Sequence, residues 1–107
     1  SNSITGSAVT RGGGGCGGID GRQGGTYGAG GTGGGGSSST SGTANTGGGA
    51  GGSAINAAVD SSGGSGVVII RYLESFDAAS GTTGSPTITL SGGYRIYSFT
   101  GSGTITI

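Results

Sequence analysis

Glycine occupies every third residue from Gly12 to Gly24: Gly12, Gly15, Gly18, Gly21 and Gly24. The frame then slips by one, to Gly25, Gly28, Gly31 and Gly34. The original frame also returns at Gly30, Gly33 and Gly36, at Gly48 and Gly51, and at Gly63 and Gly66. Three residues per turn is the repeat of the polyproline II helix, which makes no internal hydrogen bonds. Its N–H and C=O groups must therefore find partners on neighbouring segments. Collagen meets this demand with proline, and this chain has only Pro86. The remaining solution is a bundle of polyglycine II helices. Segments without a Cβ approach closely and bond sideways, and a dense set of such bonds has to offset the large entropy that glycine loses on ordering. The core this predicts is made of backbone.

Glycine-poor stretches interrupt the block at 37–46 and 53–62. Their Ser, Thr and Asn suit turns at the ends of rods. Ile55 and Val59 read as a plug at a bundle end, because a helix that short is costly to nucleate. The composition divides the chain into a glycine-rich region, 1–66, with polar loops, and a strand-forming region, 67–107. In the second, the β-branched run 67–72 reads as a strand buried on both faces. Residues 87–107 read as an antiparallel meander. Ser91-Gly92-Gly93-Tyr94 fits a two-residue hairpin that pairs Leu90 with Arg95 and Ile88 with Tyr97. A second turn at 100–104 would pair Phe99 with Ile105 and Tyr97 with Ile107. Ile88, Leu90, Tyr97, Phe99, Ile105 and Ile107 then share one face. Tyr72 and Phe76 read as further core residues. The fold class expected is mainly β and irregular, with polyglycine II-type helices packed with a small meander and little or no α-helix.

The chemistry is restricted by what is missing. Charged residues are 7% of the chain, the net charge is zero, and there is no lysine and no histidine. A neutral chain lacks the basic surface that nucleic acid requires. The longest apolar run, Val67-Val68-Ile69-Ile70, is far short of the ~20 residues of a membrane span, so no membrane insertion is expected. The serines have no ordinary base, and Asp20, Asp60, Glu74 and Asp77 read as solvated loop carboxylates. Gly13-x-Gly15-x-x-Gly18 matches a dinucleotide fingerprint only as any chain with 32 glycines in 107 residues would, and it has no strand before it or helix after it. No catalytic residue, cofactor or metal site is expected, and the chain reads as a non-enzyme. The lone Cys16 reads as a small residue in glycine packing, with an intermolecular disulfide as the alternative. The absence of methionine predicts a processed chain or a fragment.

Arg22, Gln23 and Tyr27 form the most distinctive polar group in the glycine block. Tyr and Arg favour interfaces, so the group reads either as a sugar- or partner-binding patch or as positions where the bundle surface tolerates a side chain. The loop at 37–46, with Thr43 and Asn45, reads either as a recognition loop or as a polar turn. These five residues are the candidate receptor-binding set.

The glycine block closing in "GGSGVVIIRY" (63–72), followed by "GGYRIYSFTGSGTITI" (92–107), resembles the glycine-rich domains of tailed-bacteriophage tail-fibre and tail-tip adhesin proteins. The resemblance implies a virion or extracellular location and a receptor-binding or structural role in attachment to the host cell. The partners it implies are other copies of the chain, as a homotrimer or fibre, and a bacterial surface glycan or outer-membrane protein. No residue-level receptor motif carries over. The alternative is a self-assembling extracellular fibre subunit, since a chain of low charge with open strand edges is prone to edge pairing. Ice binding on a flat Thr/Ala/Gly surface is a third reading, which a single cysteine does not favour.

Overall fold

With few side chains to bury, the glycine-rich region has to satisfy its backbone by pairing segments of chain side by side. The computed structural model describes residues 1–20, 24–54 and 60–107. Arg22 and Gln23, and the plug residues Ile55 and Val59, lie outside the described residues. The chain divides into two units. One is Ser1 with Thr10–Gly66, and the other is Asn2–Val9 with Val67–Ile107. Residues 2–9, grouped by composition with the glycine region, thus belong to the strand-forming unit.

In the first unit, the segments 12–20, 33–39 and 47–54 bond to one another in register. Gly13 N–H donates to Gly33 O (3.1 Å), and Gly49 N–H donates to Gly13 O (2.8 Å). Three residues further on, Cys16 N–H donates to Gly36 O (3.1 Å), and Gly52 N–H donates to Cys16 O (2.8 Å). The third side closes in the same way, with Gly36 N–H to Gly49 O (2.9 Å) and Ser39 N–H to Gly52 O (3.0 Å). Both partners advance by three each time, so the three segments run parallel. The segments between them run the other way. Gly31 N–H meets Gly14 O, Thr43 N–H meets Gly34 O, and Gly51 N–H meets Thr40 O. Gly64 N–H bonds Gly48 O, and Gly47 N–H bonds Ser65 O.

Part of the three-residue spacing of glycine follows from this contact. A Cβ on Gly15 or Gly18 would overlap the carbonyl oxygens of Ala50 and Ser53. On the facing segment, a Cβ on Gly48 or Gly51 would overlap those of Gly34 and Ser37. Among the described residues of this unit, the buried ones are Gly13, Gly36, Gly48 and Gly51. The interior of the unit is therefore glycine backbone.

The stretch 37–46 is not one loop. Turns at Ser38–Ser39 and Ala44–Gly47 flank a short segment that pairs like its glycine-rich neighbours, with Gly42 N–H on Ser62 O (2.9 Å). Its one glycine, Gly42, faces a neighbouring carbonyl, that of Gly48, which a Cβ would overlap.

The second unit holds a three-stranded antiparallel sheet in the order β1-β4-β3 and a two-stranded one, β2-β5. The strands are β1 (Val68–Leu73), β2 (Gly81–Thr82), β3 (Thr87–Ser91), β4 (Tyr94–Phe99) and β5 (Ile105–Thr106). No helix occurs among the described residues. The β3–β4 hairpin has the expected register, Ile88 opposite Tyr97 and Leu90 opposite Arg95. Gly92 and Gly93, at φ 58° and 78°, supply the positive angles its two-residue turn requires.

The expected meander does not continue past β4. The far edge of β4 is taken by β1, with Val68 opposite Phe99 and Ile70 opposite Tyr97. The pairs Phe99–Ile105 and Tyr97–Ile107 are absent, and Ile105 pairs with Thr82 instead. Length explains the outcome. β1 satisfies six residues of that edge, whereas 105–107 could reach three at most. As an edge strand, β1 is not buried on both faces, and Val68 is 61% exposed. Phe76, expected in the core, is 64% exposed, because the chain turns there, with its N–H on Leu73 O. The buried apolar side chains are Ile96, Tyr97 and Phe99, all on the central strand. Ile107 is exposed, outside the shared apolar face expected for it.

Both faces of β4 are covered. On one face, Arg71 donates to Ser3 O (3.0 Å) and lies 3.7 Å above the Tyr94 ring. On the other, Ala79 N–H donates to the Tyr97 hydroxyl (3.0 Å), and Gly103 backs directly onto the Phe99 ring.

Two outcomes test this architecture by thermal or denaturant unfolding. Gly18→Ala should destabilise by about 1–3 kcal/mol, because even one methyl pushes neighbouring backbones apart. Gly17→Ala, next along the same segment and facing open space, should be neutral or stabilising by about 0.4–1 kcal/mol. In the sheet, Ile96→Ala should cost about 2–5 kcal/mol, and the half-exposed Ile88→Ala clearly less.

Candidate functional site

The first unit carries an open groove of about 310 Å³, lined by Tyr27, Ser37, Ser38, Ser39 and Ala54. It lies where the parallel segments 33–39 and 47–54 approach their C-terminal ends. The serines stand on a turn closed by Thr40 N–H on Ser37 O (2.9 Å). Ser39 holds a left-handed φ of 56°, with its N–H anchored on Gly52 O. That conformation is uncommon for a residue with a Cβ, and the surrounding bonds hold it in place.

Among the described residues, each serine hydroxyl has one backbone partner. Ser37 Oγ accepts from Gly30 N–H (3.3 Å), and Ser39 Oγ accepts from Ala54 N–H (3.4 Å). Ser38 Oγ donates to Gly52 O (3.4 Å). A hydroxyl has one proton to give and two lone pairs. Ser37 and Ser39 therefore keep their protons for a further partner, and Ser38 keeps lone pairs. Tyr27, 60% exposed, stands at the side as an uncovered aromatic surface. None of the described residues lining the groove is charged.

Of the five candidate residues, Tyr27 lines this groove. Thr43 and Asn45 lie at the other end of the segments, at the level of Gly12 and Gly34, where Thr43 N–H bonds Gly34 O and Gly12 N–H bonds Thr46 O. Asn45, at φ 62°, is tied to Ser65 through its N–H (2.9 Å) and its Oδ1 (3.2 Å). Its side chain is engaged in closing a turn. Ser37, Ser38 and Ser39 are not distinguished individually by the sequence. Serines are frequent in this chain, and only the turn sets these three apart. Cys16 is a free cysteine, partly exposed, set between the Gly36 and Gly52 backbones.

The second unit holds the other concentration of polar chemistry. Tyr72 and Tyr97 stack with centroids 5.8 Å apart, and Tyr72 donates to the Tyr97 hydroxyl (3.2 Å). That bond holds Tyr97 below its ordinary pKa against the opposing effect of burial, assisted by Ala79 N–H and the Arg95 guanidinium. Tyr72 is pushed up by burial and by being the donor. Arg95 Nε is buried without a partner in the described residues. The two phenols therefore titrate as a pair, and the first proton to leave comes from the more acidic Tyr97. Among the described residues, no group of three or more cysteine or acidic side chains gathers where a metal ion could be held. No helix there is long and apolar enough to cross a membrane.

A family model described as a glycine-rich domain matches residues 1–73, and the chain belongs to that family. The match spans the glycine block and β1. No curated protein and no solved structure matches the chain.

Tyr72→Phe removes the donor that lowers Tyr97. In an absorbance titration of the phenolates, the first step of the wild-type protein should begin below the ordinary tyrosine value and move upward in the variant. A depressed pKa in the folded state adds stability as pH rises through it, and a raised one loses stability above the ordinary value. Stability should therefore be sustained or rise as Tyr97 ionises and decline once Tyr72 is forced to.

Proposed function

We propose that the laterally bonded segments are polyglycine II helices, and that the chain is a non-enzymatic tail-fibre or tail-tip domain that attaches a phage to the host cell surface. The observation that carries this reading is the three-residue repeat of hydrogen bonds between parallel segments around an all-glycine interior. Three residues is one turn of a polyproline II-type helix, so equivalent groups recur on one side of each segment. A scaffold of this kind is held chiefly by backbone bonds between its segments. Because the interior needs few side chains, those at the ends can vary more than in a side-chain core, which suits a surface that must match a receptor. The groove of Tyr27 and three serines at one end is a surface of that kind. The location that goes with this reading is the virion tail or the extracellular medium. The partners are further copies of the chain and a glycan or protein of the bacterial envelope.

A self-assembling fibre subunit is the second reading, favoured by the open edges of the sheet. β1 and β3 are the outer strands of the three-stranded sheet, and they carry exposed apolar side chains, Val68, Ile88 and Leu90. Such edges are templates for pairing with another chain.

Adsorption of the purified, fluorescently labelled protein to bacterial cells, read beside light scattering of the protein alone, separates the two. The attachment reading expects saturable adsorption to some strains and a discrete small oligomer. Concentration-dependent fibrils with no adsorption to any strain would replace it with the fibre subunit.

A further inference from the structure

We infer that the Tyr27 groove is a binding site for an uncharged sugar ring, which stacks on Tyr27 and hydrogen-bonds to Ser37, Ser38 and Ser39. The inference deepens the attachment reading by giving the receptor a chemical class, a neutral glycan, and it rests on that reading only for its biological setting. The size is suitable, since about 310 Å³ falls at the low end of the ~300–1,000 Å³ typical of small-molecule pockets. The polarity is more specific. The backbone bonds of the three serines leave an alternating row of donor, acceptor and donor along the turn. Sugar hydroxyls both donate and accept, and adjacent ones on a ring can meet such a row. A ligand with acceptors only, such as a carboxylate or phosphate, would leave Ser38 unmatched. It would also find no cation among the described residues that line the groove, and a charge without a partner is costly to desolvate.

Tyr27 completes the arrangement. One face of a pyranose ring presents C–H groups with partial positive charge, and the face of an aromatic ring carries the negative pole of its quadrupole. An exposed tyrosine beside a row of hydroxyls therefore offers a sugar both of the surfaces it has, apolar and polar. The serine turn is pre-formed by Thr40 N–H on Ser37 O and Ser39 N–H on Gly52 O, so little ordering remains to be done on binding.

The test uses the whole chain, with methyl glucopyranoside, galactopyranoside and mannopyranoside as neutral probes and galacturonate as the acidic one. Binding is read by saturation-transfer NMR and by titration of amide shifts. At least one neutral pyranoside should receive saturation, in preference to galacturonate. Tyr27→Ala should weaken it by about tenfold or more, and Tyr27→Phe, which keeps the ring, should retain it. Retained amide dispersion in both variants shows that the fold is intact. If no neutral pyranoside binds, if galacturonate is preferred, or if Tyr27→Ala binds as well as wild type, the sugar assignment is overturned. Cell adsorption distinguishes this failure from that of the attachment reading. Wild-type adsorption that persists in Tyr27→Ala removes the sugar site and leaves attachment standing. Tyr27-dependent sugar binding without adsorption to any cell leaves the site standing and removes attachment.

Discussion

The glycine-rich unit depends on one contact, a peptide carbonyl pressed against a glycine α-carbon of the neighbouring segment. Gly15 and Gly18 meet Ala50 and Ser53 in this way, and Gly48 and Gly51 meet Gly34 and Ser37. At that separation N–H groups of one segment reach C=O groups of the next, and the bonds repeat every three residues. Each is worth only about 0.5–1.5 kcal/mol net, so stability has to come from their number and from their shared geometry. A single Cβ at the contact would push the neighbouring backbones away from each other and weaken several bonds together. The cost of glycine, its large loss of entropy on ordering, is thus tied to the feature that offsets it.

The strand-forming unit is held in a different way. Its buried side chains, Ile96, Tyr97 and Phe99, lie on one strand, and the other strands and connecting segments cover the two faces of that strand. β1 occupies β4 along six residues, and the chain after Phe99 is then free to cross over the face and pair with Gly81–Thr82. Gly103 against the Phe99 ring and Thr104 N–H on the Thr83 hydroxyl (3.0 Å) secure that crossing. A groove of about 230 Å³ lined by Val68, Ile70, Phe99, Ile105 and the 101–103 backbone remains between them.

Only some of the candidate site is legible in the sequence. An aromatic residue in a block of glycines is conspicuous, and Tyr27 stands out on that ground. Thr43 and Asn45 are equally visible but sit at the opposite end of the segments, where Asn45 closes a turn on Ser65. The three serines beside Tyr27 carry no signal, because their distinguishing property is the direction of each hydroxyl. That direction is set by Gly30, Gly52 and Ala54, which are 7 to 15 residues away in sequence. No local pattern encodes such a partner.

By itself, the sequence determined the features that depend on short range. The three-residue spacing of glycine marks several of the α-carbons that face a neighbouring carbonyl, Gly15, Gly18, Gly48 and Gly51 among them, where a Cβ would overlap it. Gly92-Gly93 set the hairpin turn, and with it the register of β3 on β4, because positive φ at two successive positions leaves few alternatives. The tertiary structure decided which segments are neighbours. Glycine segments are nearly identical to one another, so their order of pairing depends on the lengths of the connections and on the whole set of bonds that can be made at once. The same applies to the free edge of β4. Residues 105–107 and β1 were both apolar candidates for it, and the longer ladder prevailed because it satisfies more backbone groups.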